Sequence, residues 1–265
     1  MRRTKISIFV LGCVLLLTIY LLASEAIDEK AYDIAWSRQL GTDEDDNSWS
    51  VATDGAGNAL ISGQTRGNFD RQSAGDLDAF LAKYDPDGNL LWIVQLGTHA
   101  DDVSYAVAVD GAGNPFISGQ TQGDLGGNNA GGTDAFLAKY DPDGNLLWTV
   151  QLGTPADDVS YAVAVDGAGN AFISGQTQGN LGGKNAGGTE AFLARYDPDG
   201  NLLWTVQIAA SADDSPWSVA VDGAGNPFIS GQTRGNLGGK NAGGEDAFLI
   251  KFDNNQISVT EEENY

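Results

Sequence analysis

Four pairs of adjacent aspartates have the clearest capacity for chemistry: Asp45 and Asp46, Asp101 and Asp102, Asp157 and Asp158, Asp213 and Asp214. Each pair follows the last by 56 residues, because 101 less 45, 157 less 101 and 213 less 157 are all 56. Hard cations such as Ca²⁺ take about six to eight oxygen ligands, so a repeated carboxylate pair beside carbonyls and asparagine amides would offer calcium one site per repeat. The plainer reading is that these are solvated loop acids accepting backbone amide protons. It is the stronger one, because no D-x-[DN]-x-[DN]-G loop with a distal Glu is present.

A second candidate set lies in glycine-rich segments of the form L-G-G-x-N-A-G-G: Asn128 and Asn129, Lys184 and Asn185, Lys240 and Asn241. They are not phosphate loops, for no G-K-[ST] follows. Repeated loops with exposed amides suit a sugar or a protein partner, and plain flexible connection explains them equally well. No catalytic residue is assigned. The one histidine, His99, is replaced by Pro155 and Ser211 at the equivalent positions. Paired carboxylates can hydrolyse glycosides, so a secreted carboxylate-dependent hydrolase is the alternative to a binding module, with a purely structural cell-surface protein as the third reading. Acids that recur in every repeat fit ligand binding or structure better than catalysis.

The elements that must position these residues are themselves repeated. Trp36, Trp92, Trp148 and Trp204 recur at the same step of 56, as do Phe80, Phe136, Phe192 and Phe248. Residues 104 to 152 and 160 to 208 differ at only six places, so they must fold alike. Within one module, Tyr105 to Val109 and Pro115 to Thr121 flank the turn cluster Asp110-Gly111-Ala112-Gly113-Asn114. Asp134 to Tyr140 and Leu146 to Leu152 flank Asp141-Pro142-Asp143-Gly144-Asn145, where Pro suits a type I turn and Gly the left-handed position after it. That predicts four strands per module, with the segment from Gln122 to Thr133 as a longer loop. Alternation sets Trp148, Val150 and Leu152 on one face and opposes Val107 and Val109 to Ala106 and Ala108. A sheet stacked between two neighbours needs two such faces. The expected fold is all-β: a β-propeller of four four-stranded blades from 56-residue repeats.

The pattern A-V-A-V-D-G-A-G-N-P-F-I-S-G-Q-T over 106 to 121, followed by G-G-T-D-A-F-L-A-K-Y-D-P-D-G-N-L-L-W over 131 to 148, resembles the SBBP family of bacterial β-propeller repeats. The resemblance covers residues 36 to 252. It implies a propeller on an exported or surface protein and brings no single activity and no catalytic residues. Trp36 to Leu40 reads as a stray last strand, and the final module lacks its Trp, ending in Asp253-Asn254-Asn255-Gln256. Pairing of Trp36 to Leu40 beside Asp246 to Phe252 would close a four-bladed ring. Without it, an open array would pair with a second chain, so the assembly is a monomeric ring or a dimer of four-blade halves.

Arg2, Arg3 and Lys5 precede an apolar run from Ile6 to Ala23, which reads as a signal peptide or membrane anchor helix over 1–26, with 27–35 as linker, 36–260 as propeller and 261–265 as tail. Positive charge stays inside, so the body is expected outside the cytoplasm, touching membrane only through its N-terminal segment. The net charge of -22 and the scattered basic residues exclude nucleic acid as a partner. Cations, glycans and proteins remain. Cys13 is the one cysteine and lies in the apolar run, so the folded body forms no disulfide. No cofactor beyond Ca²⁺ is suggested.

Overall fold

The structure, a computed structural model, describes residues 33–69, 75–208 and 212–254. It divides the chain into two units, Met1–Ser37 and Arg38–Tyr265. The described residues of the first unit form no strand, and the expected helix over 1–26 lies outside the described residues. The second unit is all-β. Its first sheet holds β1 (Asp46–Thr53), β2 (Ala59–Thr65), β3 (Asp78–Tyr84) and β4 (Leu90–Leu96), and its second β5 (Asp102–Val109), β6 (Pro115–Thr121), β7 (Asp134–Tyr140) and β8 (Leu146–Leu152). The third holds β9 (Asp158–Val165), β10 (Ala171–Thr177), β11 (Glu190–Tyr196) and β12 (Leu202–Ile208), and the fourth β13 (Asp214–Val221), β14 (Pro227–Thr233) and β15 (Asp246–Lys251). Each sheet is an antiparallel meander in sequence order.

The turns form for local reasons. Asp110 Oδ1 accepts the amides of Ala112 and Asn114, and Asn114 Nδ2 returns a bond to Asp110 Oδ2. Asp141 and Asn145 repeat the arrangement around Gly144, whose φ of 88° is left-handed as expected. These loops consume their own polar groups. The acids in them are therefore the frame of the hairpins.

Packing between sheets follows the alternation. Val107, Ile117 and Phe136 of the second sheet pack against Leu60 and Leu81 of the first, while Ala106, Phe116 and Leu137 on its other side meet Val163, Ile173 and Phe192 of the third. Ala162, Phe172 and Leu193 then meet Val219, Ile229 and Phe248 of the fourth. The second and third sheets thus bury a face at each of two junctions, and the first and fourth at one. Phe116, Phe136, Phe172 and Phe192 are fully buried, and burial of each contributes about 1.5–3 kcal/mol. The first strands of successive sheets pack directly on one another, β1 on β5, β5 on β9 and β9 on β13, while the fourth strands diverge. The sheets therefore radiate like blades from the line of their first strands.

The fourth sheet has three strands among the described residues, and the residues equivalent to β4 lie beyond Asn254, outside them. One expectation is corrected. Trp36 to Leu40 is not a strand, and among the described residues β15 pairs with β14 alone. Arg38 instead donates through Nε to Gly88 O at 2.6 Å, and Leu40 packs beside Phe80 and Tyr84. Arg38 and Leu40 are thus held by the first sheet. The ring is not closed within the chain by that strand.

Candidate functional site

An irregularity in each first strand creates the site. In β5, Ser104 pairs with Gly119 and Ala106 with Ser118, leaving Tyr105 as the extra residue of a β-bulge. Trp49, Tyr161 and Trp217 occupy the same bulge in β1, β9 and β13. Bulges re-aim side chains. Unbroken alternation would set Tyr105 on the face of Val107, within a sheet-to-sheet interface. The bulge instead lines the rings up along the first strands, with centroids 6.5 Å apart from Trp49 to Tyr105, 5.5 Å from Tyr105 to Tyr161 and 4.8 Å from Tyr161 to Trp217.

Glycine opposite the bulge permits it. A Cβ on Gly119 would lie 1.8 Å from Val103 O, and one on Gly175 at the same distance from Val159 O. No side chain fits there. The cross-strand backbone therefore approaches more closely than any other residue type allows.

The inner aromatic run carries polar groups along its length. Tyr105 OH donates to Gln120 Oε1 at 3.2 Å and Tyr161 OH to Gln176 Oε1 at 3.1 Å. Gln64 and Gln232 hold the corresponding positions in the first and fourth sheets, where the ring is an indole with no hydroxyl. Burial pushes the pKa of both tyrosines up, so their phenols stay neutral. Trp49 and Trp217 are 54% and 50% exposed. Beside Trp217 a groove opens that is lined by Gln232, Glu245, Asp246 and Phe248. Such a surface offers flat apolar faces bordered by amides and carboxylates, which suits a ligand with both C–H and hydroxyl groups.

The aspartate pairs sit at the start of the same strands and divide into two kinds. Asp46, Asp102, Asp158 and Asp214 are the first residues of β1, β5, β9 and β13. Asp102 Oδ2 accepts Thr98 N at 2.5 Å and Thr98 Oγ1 at 2.9 Å, and Asp46 and Asp158 clamp Thr42 and Thr154 alike. Burial pushes the Asp102 and Asp158 carboxyls up, against the pull of the threonine hydrogen bonds. Asp45, Asp157 and Asp213 are exposed and Asp101 half-buried. Asp157 Oδ1 accepts Thr133 N, and Asp213 accepts Thr189 N while facing Arg234 at 3.8 Å. Among the described residues no group of three or more His, Cys, Asp or Glu side chains is placed to hold a metal ion.

The glycine-rich loops are ordered by their second asparagine. Asn129 Oδ1 accepts Gly131 N and its amide donates to Asp124 Oδ1. Asn185 and Asn241 do the same with Gly187 and Asn180, and with Gly243 and Asn236. Asn128, Lys184 and Lys240 are the exposed tips. Gln151 Oε1 on β8 accepts Leu125 N and Gly126 N, fastening the loop to its own sheet. The aromatic run itself was missed at the level of sequence. Trp49, Tyr105, Tyr161 and Trp217 share the step of 56, and that recurrence was the available signal.

The family profile agrees with this architecture. The SBBP family profile, described as a beta-propeller repeat, matches residues 35–70, 91–126 and 147–182. The regulatory protein FlaEY of Caulobacter vibrioides is 34% identical over 167 residues, 57% of this chain and 18% of its own length. An uncharacterized WD repeat-containing protein of Acanthamoeba polyphaga mimivirus is 24% identical over 225 residues, 64% of this chain and 16% of its own length. The chain thus spans under a fifth of either curated relative. Among solved structures, a protein of unknown function from Bacteroides caccae aligns over 88% of this chain and 69% of its own, at 16% identity and a TM-score of 0.45. A catalytically inactive virginiamycin B lyase from Staphylococcus aureus, solved with quinupristin, aligns over 80% and 58%, at 12% identity and a TM-score of 0.44.

Proposed function

We propose that this chain, which carries SBBP beta-propeller repeats, is an extracytoplasmic binding module that holds a glycan along the inner aromatic run. The observation that carries the reading is the run itself, four rings in sequence with a half-exposed tryptophan at each end. A pyranose ring packs its axial C–H bonds on an indole face, and its hydroxyls exchange hydrogen bonds with bordering amides and carboxylates. Gln232, Glu245 and Asp246 line the groove beside Trp217, Glu245 paired with Arg234 at 2.8 Å. Large flat side chains with few rotatable bonds bind at low entropic cost. The exposed loop tips Asn128, Lys184 and Lys240 add polar contacts for a longer chain. Export is supported by Arg2, Arg3 and Lys5 ahead of the apolar run from Ile6 to Ala23.

The test is retention on insoluble polysaccharides, with cellulose, chitin and mannan as the panel. Wild-type protein is expected to be retained on at least one of them. Trp49→Ala with Trp217→Ala is expected to abolish retention while the far-ultraviolet circular dichroism stays unchanged. Equal retention of wild type and double variant would sink the reading.

A further inference from the structure

The three internal junctions between sheets are built from one recurring pair of faces, and each end of the array presents one member of that pair. Val107, Val163 and Val219, which enter their junctions from the downstream sheet, are 7%, 9% and 9% exposed. Val51, their counterpart in the first sheet, is 68% exposed. On the opposite faces Leu81, Leu137 and Leu193 are fully buried, whereas Leu249 in the fourth sheet is 72% exposed. Ala79, Ala135 and Ala191 are likewise fully buried, while Ala247 is exposed. The face that fits Val51 is therefore the one that carries Leu249.

We propose that a second copy of this chain fills both ends, the fourth sheet of each copy packing on the first sheet of the other, so that two chains close one eight-sheet ring. The partner is specified by continuity with the interfaces already made within the chain, since the new junctions repeat the old ones residue for residue. Three details agree. Val107 N donates to Ser50 Oγ at 3.1 Å across the first junction. Ala106 and Ala162 stand at the equivalent acceptor positions of the next two junctions, and the serine returns only as Ser218 in the fourth sheet. It supplies an acceptor where an incoming Val51 brings its amide.

The second detail concerns the fourth-strand position of the last sheet. The last strands pair with their sheets through Leu81 opposite Val94, Leu137 opposite Val150 and Leu193 opposite Val206. Arg38 lies 56 residues before Val94, so in this register it faces Leu249 of the other copy. Arg38 is already docked on the first sheet, donating to Gly88 O and Asp87 O. Residues 38–40 of one copy would therefore lie along the edge of β15 in the other that no described strand occupies. The third detail is the aromatic run, whose ends at Trp49 and Trp217 would meet across each new junction.

A head-to-tail contact either closes or polymerises, so mass decides. Sedimentation velocity of the full chain in mild detergent is expected to give twice the 27.7 kDa chain mass. A monomer, or a polymer that grows with concentration, would overturn the proposal. Val51→Asp and Leu249→Asp are each expected to yield a folded monomer by circular dichroism, since both side chains are exposed in one copy. To keep the proposal open to refutation if these variants unfold, Arg38→Cys and Leu249→Cys chains, prepared separately and mixed under oxidation, should form a disulfide between copies. The neighbours of a strand pair lie within disulfide reach. A control pairing of Arg38→Cys with Leu147→Cys, exposed on an outer strand, should not. Equal cross-linking in both mixtures, or none in the first, would overturn the register. Mass and cross-linking are read without glycan, so the pairing stands or fails whatever the retention, although Trp217 and Ala247 belong both to the groove and to the new junction.

Discussion

The inner and outer strands each carry one aromatic residue per repeat at the same spacing, and the molecule treats them in opposite ways. On the outer strands, Trp92 Nε1 donates to Pro142 O and Trp148 Nε1 to Pro198 O, both at 3.1 Å and both in the next sheet. A Cβ on Gly144 would lie 2.9 Å from the Trp92 ring, and one on Gly200 at the same distance from Trp148. Each indole thus spends its donor and one face on the adjacent blade. The inner rings touch chiefly each other, and at both ends half an indole is left to solvent. Residue type and period do not separate an aromatic latched to the next blade from one left to solvent. What separates them is whether neighbours within the chain cover the ring faces.

That contrast breaks most visibly at Trp204, the buried member of the outer set, which packs edge-on against Phe172 at 6.1 Å. Trp204→Ala should cost about 4 kcal/mol, read as a lowered urea midpoint. A smaller effect comes from the bulge. Gly175→Ala forces a Cβ onto Val159 O and is expected to cost about 3 kcal/mol and to remove the Tyr161 ring from its place between Tyr105 and Trp217, which near-ultraviolet circular dichroism would detect. If the near-ultraviolet signal survives, the bulge is not what aims the ring.

The outer latch also contains a buried ion pair, Lys83 Nζ to Asp54 Oδ2 at 3.0 Å, and the same ammonium donates to Pro142 O beside Trp92. Burial pushes the Asp54 carboxyl up, and hydrogen bonds from Asn58 and Lys83 overcome it, holding the pKa at about 2. A depressed folded pKa contributes stability that is present above the usual 3.8 and is lost as pH falls toward 2. Asp54→Asn should therefore cost about 2 kcal/mol at pH 7, with the difference from wild type vanishing near pH 2. Asp102 has the opposite sign. Its raised pKa means that its contribution is present at low pH and declines as pH rises through that value. Melting curves of both asparagine variants against pH check the two slopes, and parallel slopes would contradict the assignment.

Much of the blade was legible in the sequence because its signals are local. Asp-Gly-Ala-Gly-Asn and Asp-Pro-Asp-Gly-Asn fix turns by bonds within five residues, and alternation fixes faces by geometry of a single strand. Three of the four strands in the second module begin and end where expected. The first, expected from Tyr105, begins at Asp102, because the carboxylate of Asp102 holds Thr98 and so anchors the strand earlier than the apolar pattern shows. The bulge was not legible, since it depends on how closely Gly119 lets the opposite strand approach. The aspartate pairs looked like one kind of residue and proved to be two, clamp and loop, for the same reason: burial is a property of the neighbours. The place of Arg38 was not legible, because it is set by bonds from its guanidinium to Gly88 O and Asp87 O and not by the strand pattern that residues 36 to 40 repeat.

Tryptophan emission tests the division between inner and outer aromatics most directly. Titration with a soluble oligosaccharide of whichever polysaccharide retains the protein should shift or quench the emission of wild type. It should leave Trp49→Phe with Trp217→Phe unchanged, although Trp92, Trp148 and Trp204 are still present to report. A full response in that double variant would place the ligand elsewhere and contradict the account.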